Sequence, residues 1–148
     1  MFNYILEISA LSMIIAQVSK IFTKYFVKGE WDLAVLMSTG GMPSSHTSLV
    51  TTLTVTLGLI YGFSSVEFAM SFVFSAVIIH DAMGIRYEAG KHASVLNQIA
   101  EDLEYIMKRE ENSDKKFKEL LGHKPIEVFI GFLLGIAVGL VGYYWLFI

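Results

Sequence analysis

Four apolar runs, at about 4–22, 47–63, 66–85 and 126–148, decide most of what this chain can fold into. Each approaches the roughly 17–25 residues that an α-helix needs to cross a hydrocarbon core. The chain is 54% hydrophobic, above the roughly 45–50% apolar content of soluble domains. The first run is the weakest, because Glu7, Gln17 and several serines dilute it; a re-entrant segment is its alternative. It has no basic leading region and no small-residue cleavage site, so a removable signal peptide is not expected. The link between the second and third runs, "YGFSSVE", is short and predicts a tight antiparallel hairpin.

The charges are segregated. All 11 Lys and Arg fall in two windows. Lys20, Lys24 and Lys28 form the first; the second runs from Arg86 to Lys124. With four crossings, both windows lie in loops on one side. The positive-inside rule makes that side cytoplasmic and puts both termini outside. "YYW" near the C-terminus suits an aromatic belt at the outer interface. The expectation is an all-α integral protein of the cell membrane with about four transmembrane helices. It is a single domain over 1–148 with a cytoplasmic amphipathic helical insertion at 87–121.

The insertion has its own pattern. Leu96, Ile99, Leu103 and Ile106 recur at helical spacing. Glu104 with Lys108, Glu111 with Lys115 and Asp114 with Lys118 are i,i+4 pairs in the favourable order. A surface helix is predicted over 89–109, a break at 111–114 and a short helix to 121. Its apolar stripe packs on the bundle or lies on lipid. Cysteine is absent, which removes disulfides, thiolate metal sites and a cysteine nucleophile. Nothing in the charge pattern suggests nucleic acid as a partner.

Three polar clusters interrupt this apolar background. The first is "GGMPSSH", residues 40–46. The glycine pair ending in Gly41 breaks a helix, and Pro43 suits the first turn of the next. Ser44 and Ser45 can cap that turn, and its open N–H groups with the helix dipole favour an anion. His46, one turn in, could protonate a leaving oxygen. An ordinary helix start that contains a histidine is the plain alternative.

The second cluster is "IIHDAMGIR". His80 and Asp81 lie about one turn inside the end of the third apolar run, and Arg86 ends it. Arg86 offers a planar fork for two phosphate oxygens, or anchors the helix at the interface. Asp81 is a buried partner for Lys20 or Arg86 in the plain reading. The third cluster is "GHKPIEV". His123 and Glu127 are i,i+4, so the carboxylate can hold one ring nitrogen and leave the other to attack. A helix cap is again the alternative. Two histidines, an N–H cradle and the cations Lys20 and Arg86 at one membrane face are what phosphoryl transfer without a metal needs.

"GGMPSSH" resembles the P-S-G-H motif of the type-2 phosphatidic acid phosphatase and vanadium haloperoxidase superfamily, and "GHKPIEVFIGFLLG" its H-x3-D half-motif. Over nearly its whole length the chain looks like a small divergent branch of that superfamily, acid-phosphatase related and of unknown function. The resemblance implies hydrolysis of a lipid or polyprenyl phosphate or pyrophosphate through a phosphohistidine, without metal or other cofactor. It implies His123 as nucleophile, Glu127 as its orienter and His46 as general acid. Lys20, Ser44, Ser45 and Arg86 would bind phosphate, supported from behind by Asp81, Gly41 and Pro43.

The chain also departs from the pattern. Ser45 stands where the family has Gly, and Glu127 where it has Asp. The K-x6-R-P motif is missing, with Lys20 its best substitute and Lys24 next. Arg86 is followed by a histidine at the family spacing, His92, but position 96 is Leu96; both His92 and His123 therefore compete for the nucleophile. A non-catalytic lipid-phosphate binder, scaffold or transport protein is the alternative from another class, and a soluble phosphate ester the alternative substrate. Gly131, Gly135 and Gly139 form a small-residue face on the last run, which predicts a homodimer or packing within the chain.

Overall fold

The computed structural model describes residues 3–29, 31, 35–36, 40–107 and 123–147; the side chains of 27, 28, 85, 86, 104–107, 146 and 147 fall outside that description. Among the described residues five α-helices follow in order: α1 (Tyr4–Lys28), α2 (Ser45–Tyr61), α3 (Val66–Met83), α4 (Ile85–Met107) and α5 (Pro125–Phe147). Helices α1, α3 and α5 are long and apolar enough to cross a membrane. The protein is an all-helical membrane protein, with α2 enclosed among the other three.

Local chemistry sets the boundaries. Asn3 caps α1 by accepting from the Leu6 N–H at 3.2 Å, and Gly29 ends it in the left-handed region at φ 73°. Gly29 thereby carries α1 beyond the expected end at 22. Ser65 caps α3 by accepting from the Phe68 N–H at 3.1 Å, and only residues 62–65 separate α2 from α3. Gly84, at φ −97° and ψ −98°, closes α3 through its N–H to the His80 carbonyl at 2.8 Å. Helix α4 then starts at once. Arg86 therefore stands in the first turn of α4 rather than at the end of α3, and the insertion helix begins at 85 rather than 89. The expected break at 111–114 and short helix to 121 lie outside the described residues.

Helix α2 is the hub, packed against α1, α3 and α5. Its buried positions are Ser45, Thr47, Ser48, Val50, Thr51, Thr52, Thr54, Thr56 and Gly58. This inverts the rule for soluble helices, and the reason is the solvent. Lipid is as apolar as leucine, so leucine gains nothing by facing inward; small and hydroxyl side chains let backbones approach and hydrogen bond. Ser12 of α1 and Ser48 of α2 lie 2.6 Å apart. Thr52 Oγ1 reaches both Ser12 Oγ at 2.8 Å and the Gly135 carbonyl at 3.0 Å. On the other flank, Thr54 Oγ1 lies 2.8 Å from the hydroxyls of both Ser71 and Ser75 on α3.

The glycines of α5 belong to this packing. A Cβ at Gly135 would sit 2.6 Å from Thr51 Cβ, and one at Gly131 would sit 2.5 Å from the Ser44 carbonyl oxygen. A side chain at Gly139 would meet Val55 of α2 at 3.0 Å. The glycine stripe thus seats α5 on α2 within one chain, and it no longer argues for a homodimer.

Candidate functional site

The polar turn before α2 is held from three sides. Ser44 takes an extended conformation, φ −69° and ψ 114°, and is the N-cap of α2. Its hydroxyl accepts from the Thr47 N–H at 3.4 Å and from Thr47 Oγ1 at 2.9 Å. A serine cap needs that non-helical backbone, so Pro43 falls just ahead of the cap and not in the first turn. The Met42–Pro43 peptide bond is cis. The Ser44 N–H donates to the Glu127 carbonyl at 2.9 Å and ties the turn to α5. That amide is therefore engaged, whereas the Ser45 N–H faces the open end of the helix and has no partner among the described residues.

Lys20 comes to this turn from α1. Its Cδ lies 3.7 Å from where a Cβ of Gly41 would be, and Gly41 adopts φ 97°, which favours glycine. The lysine is 2% exposed, and its Nζ has no hydrogen-bond partner among the described residues. The Glu127 carboxylate is close enough to act on it electrostatically. Lys24, one turn further along α1, is half-buried.

His123 closes the site from the residues just before α5. It is 3% exposed, and its backbone N–H donates to the Ala82 carbonyl of α3 at 3.1 Å. The His46 ring stands edge-on to the His123 ring, with centroids 6.5 Å apart and planes at 79°. His46 itself is exposed. Glu127 is half-buried, and its Oε2 accepts from the Lys124 N–H at 3.2 Å, which caps α5. Asp81 is half-buried in the last turn of α3, next to the carbonyl that holds His123, and His80 beside it is exposed.

Residues up to 107 sequence positions apart have thus converged: Lys20, Gly41, Pro43, Ser44, Ser45, His46, Asp81, His123 and Glu127 gather where α1, α2, α3 and α5 meet. Arg86 lies within the first turn of α4, and its side chain is outside the described set. His92 is different. It is exposed on α4, and α4 meets only α3 among the described helices. Its neighbour Glu88 pairs with Lys91 at 2.8 Å. Sequence reasoning missed Thr47, whose i+3 spacing from Ser44 is the signal of a doubly held cap. It also missed Gln17, whose Nε2 donates to the Leu36 carbonyl at 2.5 Å.

An ammonium, an open helix N-terminus and two imidazoles brought to the start of α2 are the groups that can hold a tetrahedral oxyanion. The family model described as the divergent PAP2 family matches residues 1–138. The chain belongs to the divergent PAP2 family. An uncharacterized membrane protein of Bacillus subtilis (strain 168), YuiD, is 40% identical over 147 residues, covering 94% of this chain and 93% of its own. No solved structure matches the chain. Membership covers both histidine clusters of this divergent PAP2 protein and the helices that bring them together.

Proposed function

We propose that this divergent PAP2 protein hydrolyses the phosphate or pyrophosphate ester of a membrane lipid or polyprenol through a phosphohistidine. The observation that carries this reading is Lys20: a buried ammonium without a hydrogen-bond partner among the described residues, beside an open helix N-terminus and a facing pair of histidines. Burying an ammonium whose N–H donors are unfilled is costly even with the Glu127 carboxylate nearby, so such a group persists where an anion joins it.

The phosphoryl oxygens lie against Lys20 and the Ser45 N–H, with Arg86 as a further cation. A ring nitrogen of His123 forms a bond to phosphorus while the bond from phosphorus to the leaving oxygen breaks. His46 gives its proton to that oxygen. Water then attacks the phosphohistidine, the P–N bond breaks, inorganic phosphate leaves and His46 recovers a proton from the water. Glu127 and Asp81 hold His123 and its surroundings. In this reading the site lies on the cytoplasmic side with both termini outside, which the charge segregation supports.

Phosphate release from a panel of lipid phosphates by detergent-purified protein, with vanadate as competitor, tests the proposal. Release that vanadate inhibits and that His123→Ala abolishes is expected. A second reading, non-catalytic lipid-phosphate binding, draws on one observation: Glu127 Oε2 is engaged in capping Lys124. Absence of release across the panel, with a phosphate-dependent gain in thermal stability, would select it.

A further inference from the structure

The geometry points to the face of α2 that runs from His46 through Leu49, Leu53 and Leu57 as the seat of the substrate's apolar chain. This rests on the phosphate reading of the site. Around α2, the Thr51 side meets α5, the Ser48–Thr52 side meets α1 and the Val50–Thr54 side meets α3. The remaining arc carries His46, Leu49, Leu53 and Leu57, spaced three or four residues apart. Helices α1 and α3 do not meet among the described residues, so no described helix closes this arc.

It is a trough and not an outward face. Leu49, Leu53 and Leu57 are half-buried, whereas Leu11 on α1 is 52% exposed and Phe74 on α3 59%. At the Leu57 end of the arc, Met70, Phe74 and Val77 of α3 line with Leu57 an open cavity of about 900 Å³, which also reaches Glu67. The trough runs about 16 Å along α2 from His46 to Leu57. It is also the one side of α2 that changes chemistry: hydroxyls face the other helices, and leucines face the gap.

The occupant follows from continuity with the site. A phosphoryl group at the start of α2 is walled by α1 at Lys20, by His123 just ahead of α5 and by α3 at Ala82. Among the described residues, the side left open to the organic part of an ester runs past His46 and Leu49. His123 is buried opposite and His46 is exposed on the leaving side, which is the order that in-line transfer requires. The ligand class is a lipid phosphate whose chain enters sideways from the leaflet next to the site.

A long-chain monoalkyl phosphate carrying a diazirine midway along its chain tests this, with the alcohol of the same chain as control. Both are photolysed with the whole protein in lipid nanodiscs. The phosphate probe is expected to label residues 45–61 or 66–83 several-fold more than the alcohol does. Vanadate and Leu53→Trp should each remove that excess. Equal labelling by both probes would overturn the trough as a substrate seat. So would a phosphate-dependent excess in the second groove, of about 500 Å³ between α1 and α5 and lined by Ile8, Leu11, Val138 and Val141. Cross-linked dimers through α2 would assign the face to a second copy and overturn it too. Phosphate release is measured separately. Turnover without the labelling excess sinks the trough alone, and the excess without turnover keeps the trough and sinks the hydrolase.

Discussion

Two histidines competed for the role of nucleophile, and their surroundings separate them. His123 is buried, fixed through its backbone to Ala82 and set against His46. His92 is exposed on a helix that meets only α3. A nucleophile needs a rigid mount, so His123→Ala is expected to abolish phosphate release and His92→Ala to leave most of it. A phosphoenzyme label on the peptide around His92 would reverse this. His46→Ala should spare esters with good leaving groups far more than poor ones, read as a change in the leaving-group dependence of kcat/KM. Lys20 makes a prediction of opposite sign for stability and binding. Lys20→Met removes a buried charge, so without phosphate the variant should be at least as stable as the parent, by up to about 1–3 kcal/mol. Phosphate or vanadate should raise the Tm of the parent and not that of the variant. A variant that loses stability and still responds to phosphate would show that the ammonium serves packing alone.

At the level of the helix, close approach governs more than hydrogen bonding does. Thr52→Val loses the contacts to Ser12 and the Gly135 carbonyl, and such interhelical bonds average about 0.6 kcal/mol in a membrane. Gly135→Leu pushes side-chain atoms into Thr51 and the Ser48 carbonyl, and overpacking of this kind costs about 1–3 kcal/mol or more. Thermal unfolding in detergent should rank Gly135→Leu well below Thr52→Val. Native mass spectrometry should show the same oligomeric mass for Gly135→Leu and the parent. A drop in mass would put the stripe between chains after all. The stripe itself was legible in the sequence, as was its meaning of close packing. Its partner was not, because a glycine face fits any small-residue surface, and only the position of α2 against α5 selects one.

Across the whole molecule, charge and polarity divide the ends. Lys20 and Lys24 sit at one end of the bundle with His46 and His123, while Glu7 and Glu67 stand in the first turns of α1 and α3 at the other. If the positive-inside rule orients the chain, one cysteine replacing Ser113 should resist a membrane-impermeant thiol reagent in intact cells, and one added after Ile148 should react. The parent has no cysteine, so each label reports one position. The reverse pattern would move the site to the outer face.

The sequence by itself determined the class of protein, the apolar helices, the hairpin and the two histidine clusters, because each follows from a pattern local to one run of chain. Run length against bilayer thickness is a one-dimensional criterion, and so is the start signal of a capped helix. Two local boundaries still escaped it: Ser44 displaced Pro43 from the first turn of α2, and Gly84 let α4 begin before Arg86. Only the tertiary structure decided which side chains share a space. The burial of Lys20 under Gly41, the facing of His46 and His123, and the inward hydroxyls of α2 depend on contacts between segments far apart in the chain. In lipid those contacts are chosen by backbone approach and hydrogen bonding, not by hydrophobicity. Hydropathy therefore marks where the helices are and carries no information about which faces meet.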